Sequence, residues 1–398
     1  MKRKARSDIS RRALLMAFGL AMASFASPQV QAQTFSVIHP FTGGTDGGYP
    51  LNGFAIGSAG NLFGTASTGG KSGAGVVFEL SETGVEKVLY SFAGQPDGAN
   101  PQSSLIYDAS GNLYGTTSAG GVYGLGTVFE LSPKGQETVL YSFQGGTDGA
   151  NPVSKLAFDT AGYLYGTTTT GGAYSGGTVF EVVKGGTEQV LYSFGNGTDG
   201  SAPVAGVTLT KAGIIFGTTS AGGTSGYGTV FRLAPAQSGW TEHILHNFEM
   251  QADGGTPYAG VVFDASGNLY GATTDGGGAD WNGGGAIFEL TYSGGEWNFS
   301  VLDGLAGSGI SGTYRNVLVS AAGNIYATTH CDGSYSAGTV YELTPSGGSW
   351  TYTPLYAFTG GSDGQYSYSN LVMDKQGNLY GTTNIGGAGY GVAFKITP

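Results

Sequence analysis

Apolar residues along this chain fall in short runs, often alternating with polar ones, and nowhere at the three-to-four-residue spacing of an amphipathic helix. Gly111–Asp159 sets the pattern. It holds four runs rich in branched and aromatic residues: Asn112–Thr117 (NLYGTT), Thr127–Leu131 (TVFEL), Thr138–Phe143 (TVLYSF) and Lys155–Asp159 (KLAFD). Each reads as a β-strand. The intervening stretches are turn chemistry: Asp108-Ala109-Ser110-Gly111, the glycine-rich Gly120–Gly126, Ser132–Gln136 and the longer polar Gln144–Pro152.

The unit recurs. Copies begin at Gly60, Gly111, Gly162, Gly213, Gly267, Gly323 and Gly377, the first three intervals being 51 residues and the next three 54, 56 and 54. Four strands per unit of about 50 residues is the period of a propeller blade. The 76 glycines return at fixed places, accompanied by 24 tyrosines and 21 phenylalanines, so they mark turns between packed strands rather than disorder. The chain stops after its last TVFEL counterpart, Phe394-Lys395-Ile396. The missing outer strand is supplied near the other end by Phe35–Phe41 (FSVIHPF), ahead of a GGTDGANP-like loop and the strand at Phe54-Ala55-Ile56. The sequence therefore predicts an all-β fold: a seven-bladed β-propeller of four-stranded blades, closed by the N-terminal strand completing the last blade. If the KLAFD run is strand A and NLYGTT, TVFEL and VLYSF are B, C and D, the long D–A and B–C loops share one face. That face is the expected binding surface.

Residues 1–32 are read as an export leader, with basic Lys2, Arg3, Lys4, Arg6, Arg11 and Arg12, an apolar Ala13–Ala26 and a cleavage context at Val30-Gln31-Ala32. Ser10-Arg11-Arg12 also fits a twin-arginine signal. The leader's apolar run is too short for a membrane span, and none is expected in the mature chain. Residues 33–398 are expected to form a single propeller domain, exported to the extracellular space, periplasm or cell surface. With the leader set aside, 10 basic and 26 acidic side chains remain, a net charge of −16. That excess argues against a nucleic-acid partner. Cys331 is the sole cysteine, so no intrachain disulfide forms.

The ordered submotifs GNLYGTTSAGG (Gly111–Gly121), GTVFEL (Gly126–Leu131), LYSF (Leu140–Phe143) and DGANP (Asp148–Pro152) resemble the choice-of-anchor tandem repeats known as GloVer repeats. The resemblance covers nearly all of Gly60–Ile396. It implies an exported or surface-associated bacterial protein and carries no activity to transfer.

Chemistry has to be sought where the repeat breaks. The regular D–A aspartates (Asp46, Asp97, Asp148, Asp199, Asp253, Asp363) are one per blade and read as caps of their own loops rather than as a metal cage. Asp108, Asp159, Asp264 and Asp374 read as turn formers, and Glu79, Glu130, Glu181, Glu289 and Glu342 of strand C as repeat features. Zinc, nucleophile-elbow and phosphate-loop motifs are absent. The departures are Asp280-Trp281 in a lengthened B–C loop, Tyr314-Arg315 in the next D–A loop, and His330, Asp332 and Tyr335 in the B–C loop after that. They share a face and lie on adjacent blades. Such groups suit sugar stacking and hydrogen bonding, or general acid–base chemistry, and are also what permissive loops accumulate by drift. Trp240, His243 and His246 fall on the other turn and the outer strand, as surface or packing residues. The expectation is a monomeric, non-catalytic binding module for a glycan or a surface protein, without metal or cofactor. The alternative is a polysaccharide lyase or glycosidase using the same loops.

Overall fold

The computed structural model describes residues 33–183, 185–278, 283–305 and 312–398. The leader reading of residues 1–32 lies outside them. Seven four-stranded antiparallel sheets form a ring, with no helix among the described residues. Blade three shows the build: Ala157–Phe158 (A), Leu164–Thr168 (B), Thr178–Val182 (C) and Glu188–Ser193 (D) pair in that order from the channel outward. The seventh sheet is completed by Thr34–Pro40, antiparallel to Val392–Thr397, with Val37 opposite Phe394. Closure by the N-terminal strand is therefore as the sequence predicts. The longer spacings of later units have a local cause. The C–D hairpin grows in blades four to six, to Thr229–Ala236 with Gly239–Asn247, Ala286–Ser293 with Glu296–Gly304, and Thr339–Ser346 with Ser349–Ala357.

Two features were not legible in the strand pattern. Strand A pairs over only two residues, Ala157 and Phe158 against Tyr165 and Leu164 in blade three. All seven C–D pairs also shift register at the same point, as between Val179 and Phe180. Such a bulge bends and twists the outer strand.

The seams between blades explain the repeated letters. Phe143, from strand D of blade two, packs edge-on against Phe180 of blade three at 5.0 Å, over buried Val128, Leu156 and Leu164. Strand B passes over that ring at Gly166, where a Cβ would lie 2.6 Å from Phe180 Cζ, so only glycine fits. Below it, the strand-B threonine hydroxyl donates to a backbone carbonyl of the next blade: Thr65 to Ser103 (2.9 Å), Thr116 to Ser154 (3.2 Å), Thr167 to Ala205 (2.9 Å), Thr218 to Ala259 (2.8 Å), Thr328 to Ser369 (3.4 Å) and Thr382 to Asn52 (3.0 Å). Blade five carries Ala272 there, and the facing residue of blade six is Arg315 rather than a small one.

The loop aspartates are structural caps. Asp148 accepts from Gln144 N (2.6 Å) and the Tyr141 hydroxyl (3.0 Å), and Asp363 from Thr359 N (2.8 Å) and the Tyr356 hydroxyl (2.8 Å). In the A–B turn Asp374 accepts from the amides of Gln376 and Asn378 and from the Tyr380 hydroxyl. The strand-C glutamates serve the same role: Glu181 and Glu289 each accept from a tyrosine hydroxyl at 2.7 Å. Asp148→Asn should thus keep both acceptor bonds and change stability by less than about 0.5 kcal/mol, whereas Asp148→Ala should cost about 1 kcal/mol. Urea titration of the two variants checks this. A calcium-dependent melting temperature that disappears in Asp148→Asn would instead make the loop an ion site.

Candidate functional site

The D–A and B–C loops do meet on one face, joined by bridges such as Ala150 with Thr170 and Gln365 with Ile385. As each D–A loop descends to strand A, the residue after the repeat's proline stands at the mouth of the central channel. Around the ring that position is Leu51, Gln102, Val153, Val204, Tyr258, Tyr314 and Tyr368. Blades five, six and seven therefore place three consecutive tyrosines there. Their rings meet in series, Tyr258 to Tyr314 at 5.4 Å and Tyr314 to Tyr368 at 5.1 Å. Each remains partly exposed.

His330 joins this arc. In blades one to five its position is a hydroxyl residue that ties the B–C loop to the D–A loop, as Ser118 Oγ does to Asn100 O at 3.0 Å, and in blade seven it is Asn384. The imidazole gives up that tie and lies among rings, 4.5 Å from Tyr368, 4.7 Å from Tyr366 and 5.1 Å from Tyr314. Its Nε2 is 3.3 Å from the Tyr368 hydroxyl, while its buried Nδ1 has no partner. Burial pushes its pKa down to about 4, so the ring is neutral at ordinary pH.

Arg315 sits beneath, at a position otherwise held by asparagine, serine or alanine. Its Nε donates to Tyr368 O (3.1 Å) and Nη2 to Leu51 O (3.4 Å), linking blades six, seven and one across the mouth. Burial lowers it to about 10, with Tyr368 opposing that shift, yet it stays charged. No carboxylate lies within ion-pair distance of it among the described residues. Cys331 is half-buried, and burial followed by nearby Asp332 pushes its thiol up, making a thiolate scarce.

Three of the predicted residues, Tyr314, Arg315 and His330, are thus brought together. Asp332 is not with them: it lines a separate cavity of about 460 Å³ at the seam of blades five and six, beside Asp303 and Tyr352, and accepts from the Thr329 hydroxyl. Tyr335 projects into solvent, 63% exposed. Asp280 and Trp281 lie outside the described residues. The sequence reading missed Tyr258, Tyr366 and Tyr368. Aligning the D–A loops residue by residue would have found Tyr258 and Tyr368, since they occupy the same slot as Tyr314. His246, read as a packing residue, pairs with Asp253 at 3.0 Å and stacks on Phe299 at 3.6 Å. Trp240 packs against the core between blades three and four.

The sequence profile of the Gloeobacter/Verrucomicrobia repeat matches residues 25–215 and 205–398. No curated protein sequence matches the chain. Among solved structures, a Bacteroides uniformis protein provisionally assigned as a 6-phosphogluconolactonase is similar at a TM-score of 0.51 and 18% identity, over 81% of this chain and 88% of that one. A Lactobacillus plantarum protein is similar at 0.51 and 14% identity, over the same shares. At these identities the likeness is one of fold.

Proposed function

The chain belongs to the Gloeobacter/Verrucomicrobia repeat family, and we propose that it is an exported, non-catalytic binding propeller that takes a glycan at the channel mouth. The observation that carries this reading is the tyrosine arc. Four blades keep aliphatic or amide residues at the slot, and the three contiguous blades that depart from them all do so with a ring. Partly exposed rings flanked by hydrogen-bonding hydroxyls and a guanidinium match the alternating apolar and hydroxylated faces of a sugar. Screening the chain from Gln33 onward against a glycan array, followed by calorimetry, tests it. Tyr314→Ala should lose roughly 1–3 kcal/mol of affinity, the worth of one buried stacking surface. Tyr123→Ala, an exposed ring on a regular blade, should leave affinity unchanged. Equal loss in both variants, or in neither, overturns the assignment of the site.

One observation favours a second reading. A neutral imidazole with an orphan Nδ1 beside a tyrosine hydroxyl is a competent proton acceptor, as a lyase or glycosidase needs. The same screen reads for it: product that forms with the parent chain and vanishes in His330→Ala, with binding retained, would make the protein an enzyme.

A further inference from the structure

The opposite end of the channel is chemically different. Two residues past the tyrosine slot of each D–A segment, the innermost positions are Gly53, Ser104, Lys155, Gly206, Gly260, Asn316 and Asn370. They draw the ring tight. Gly260 N donates to Asn316 Oδ1 (2.8 Å), Asn316 N to Asn370 Oδ1 (2.8 Å), and Asn370 Nδ2 to Ser104 Oγ (3.2 Å). At Gly53 a Cβ would lie 1.8 Å from Asn370 O, and at Gly206 one would lie 2.4 Å from Lys155 O. This constriction separates the tyrosine mouth from a cavity of about 500 Å³ formed by the strands A. Its walls are apolar, including Phe54, Ile56, Leu105, Phe158, Leu318 and Val372, and come from five blades. The volume falls within the range of about 300–1,000 Å³ usual for small-molecule sites.

Lys155 is the charged group in that wall, and the other six blades hold glycine, serine or asparagine in its place. No carboxylate or hydrogen-bond acceptor engages its ammonium among the described residues. Solvent reaches the side chain along the channel, yet protein crowds it, and desolvation holds its pKa below the usual lysine range. The turn aspartates nearest this end do not neutralise it. Asp108, Asp159, Asp264 and Asp374 fold back onto the amides and tyrosine hydroxyls of their own A–B turns and strands B. A lone, solvent-reached ammonium beside an open apolar hollow is complemented by a single anionic head carried on an apolar body. Inorganic phosphate, compact and strongly hydrated, would leave the walls unmatched.

We propose that the strand-A cavity is a binding site for a small amphiphilic monocarboxylate, its carboxylate on Lys155 Nζ and its apolar body against the partly exposed Ile56, Phe158, Leu318 and Val372. The site is separate from the tyrosine mouth, so neither reading depends on the other.

Decanoate is the probe, titrated below its micelle concentration into the chain from Gln33 onward and followed by calorimetry and by the carboxyl carbon's NMR shift. Lys155→Met keeps the length and apolarity of the side chain and removes the charge. It should weaken decanoate binding by about tenfold or more with the melting temperature unchanged, while Lys155→Arg should bind nearly as well as the parent. Decanol should bind the parent about tenfold more weakly than decanoate and be indifferent to Lys155→Met. Acetate, a head without a body, should not compete. Equal decanoate affinity in the parent and Lys155→Met, or no decanoate binding at all, overturns the proposal. Displacement of decanoate by acetate or phosphate would show a plain anion site and overturn it as well.

Discussion

Raising the pH from 6 to 9 is expected to lower the unfolding midpoint of the ring by roughly 5 °C at constant ionic strength. The cause lies in four seams that share one arrangement. Glu86, Glu137, Glu188 and Glu242 occupy one register position in the outer strands of blades one to four, opposite Leu80, Leu131, Val182 and Leu233, each facing the loop aspartate of the preceding blade: Asp46, Asp97, Asp148 and Asp199. His39, Tyr90, Tyr141 and Tyr192 of the preceding outer strand complete the clusters. Each glutamate has a buried Oε1 without a partner. Desolvation first, and repulsion from the aspartate second, push Glu86, Glu137 and Glu242 up to about 7 and Glu188 to about 8.

A carboxyl raised in the folded state binds a proton that the unfolded chain has already released. Its stabilisation is complete below the ordinary value near 4.5 and is lost as pH rises through 7 to 8. The histidines act oppositely. Burial lowers His39, His246 and His330, so they favour the folded chain as pH rises toward 6.5 and oppose the glutamate loss below that point. The steepest fall is therefore expected between pH 6.5 and 8. Because the glutamates are only half-buried, each is worth about 1 kcal/mol after solvent screening, about 4 kcal/mol in all. Calorimetry across pH 5 to 9 measures this. Replacing all four glutamates by glutamine should flatten the curve above pH 6.5, and a parent protein with a flat curve there would refute the seam argument. The other three seams place Phe299, Tyr352 and Phe35 at the glutamate position, opposite Leu290, Leu343 and Ile396 of their own strands C, and so have no counterpart of these glutamates.

Removing residues 34–41 should have the larger effect: loss of cooperative folding. Thr34–Pro40 supplies the outer strand of the last blade through pairs running from Thr34 with Thr397 to Pro40 with Val392. Phe35 stacks on Tyr356 of blade six at 3.7 Å and packs on Phe394 at 5.8 Å, while Phe41 is fully buried against Phe78 of blade one at 5.1 Å. This one segment therefore seals the seams on both sides of the last blade. Losing two phenylalanines forfeits about 3–6 kcal/mol of burial before the strand pairing is counted, against a total stability of about 5–15 kcal/mol. It also bares Val392–Thr397 as an open edge, which invites aggregation. Thermal unfolding and size-exclusion chromatography of the truncated chain, with and without the peptide TFSVIHPF, would show it. A truncated chain that melts at the parent's temperature would mean the ring closes without this strand.

Much of this molecule is local, and the sequence carries it openly. Blade number, strand order and the closing strand follow from a repeated pattern whose letters each answer a nearby need: glycine where Phe180 presses on Gly166, aspartate where a loop amide needs an acceptor four residues on. Three residues of the candidate site were visible for the same reason, since Tyr314, Arg315 and His330 break a rule that the other blades obey. What the sequence could not carry is anything set between blades. The same loops that bring Tyr314 and His330 together turn Asp332 to another cavity, because His330 faces blade seven and Asp332 the seam with blade five. The tyrosine arc joins residues about 55 positions apart, and Lys155 becomes an unpartnered cation only once five strands A converge on it. The glutamates of the outer strands look like ordinary surface charge until the preceding blade's aspartate is placed against them. Burial and proximity across a seam are properties of the closed ring, and tertiary structure alone decides them.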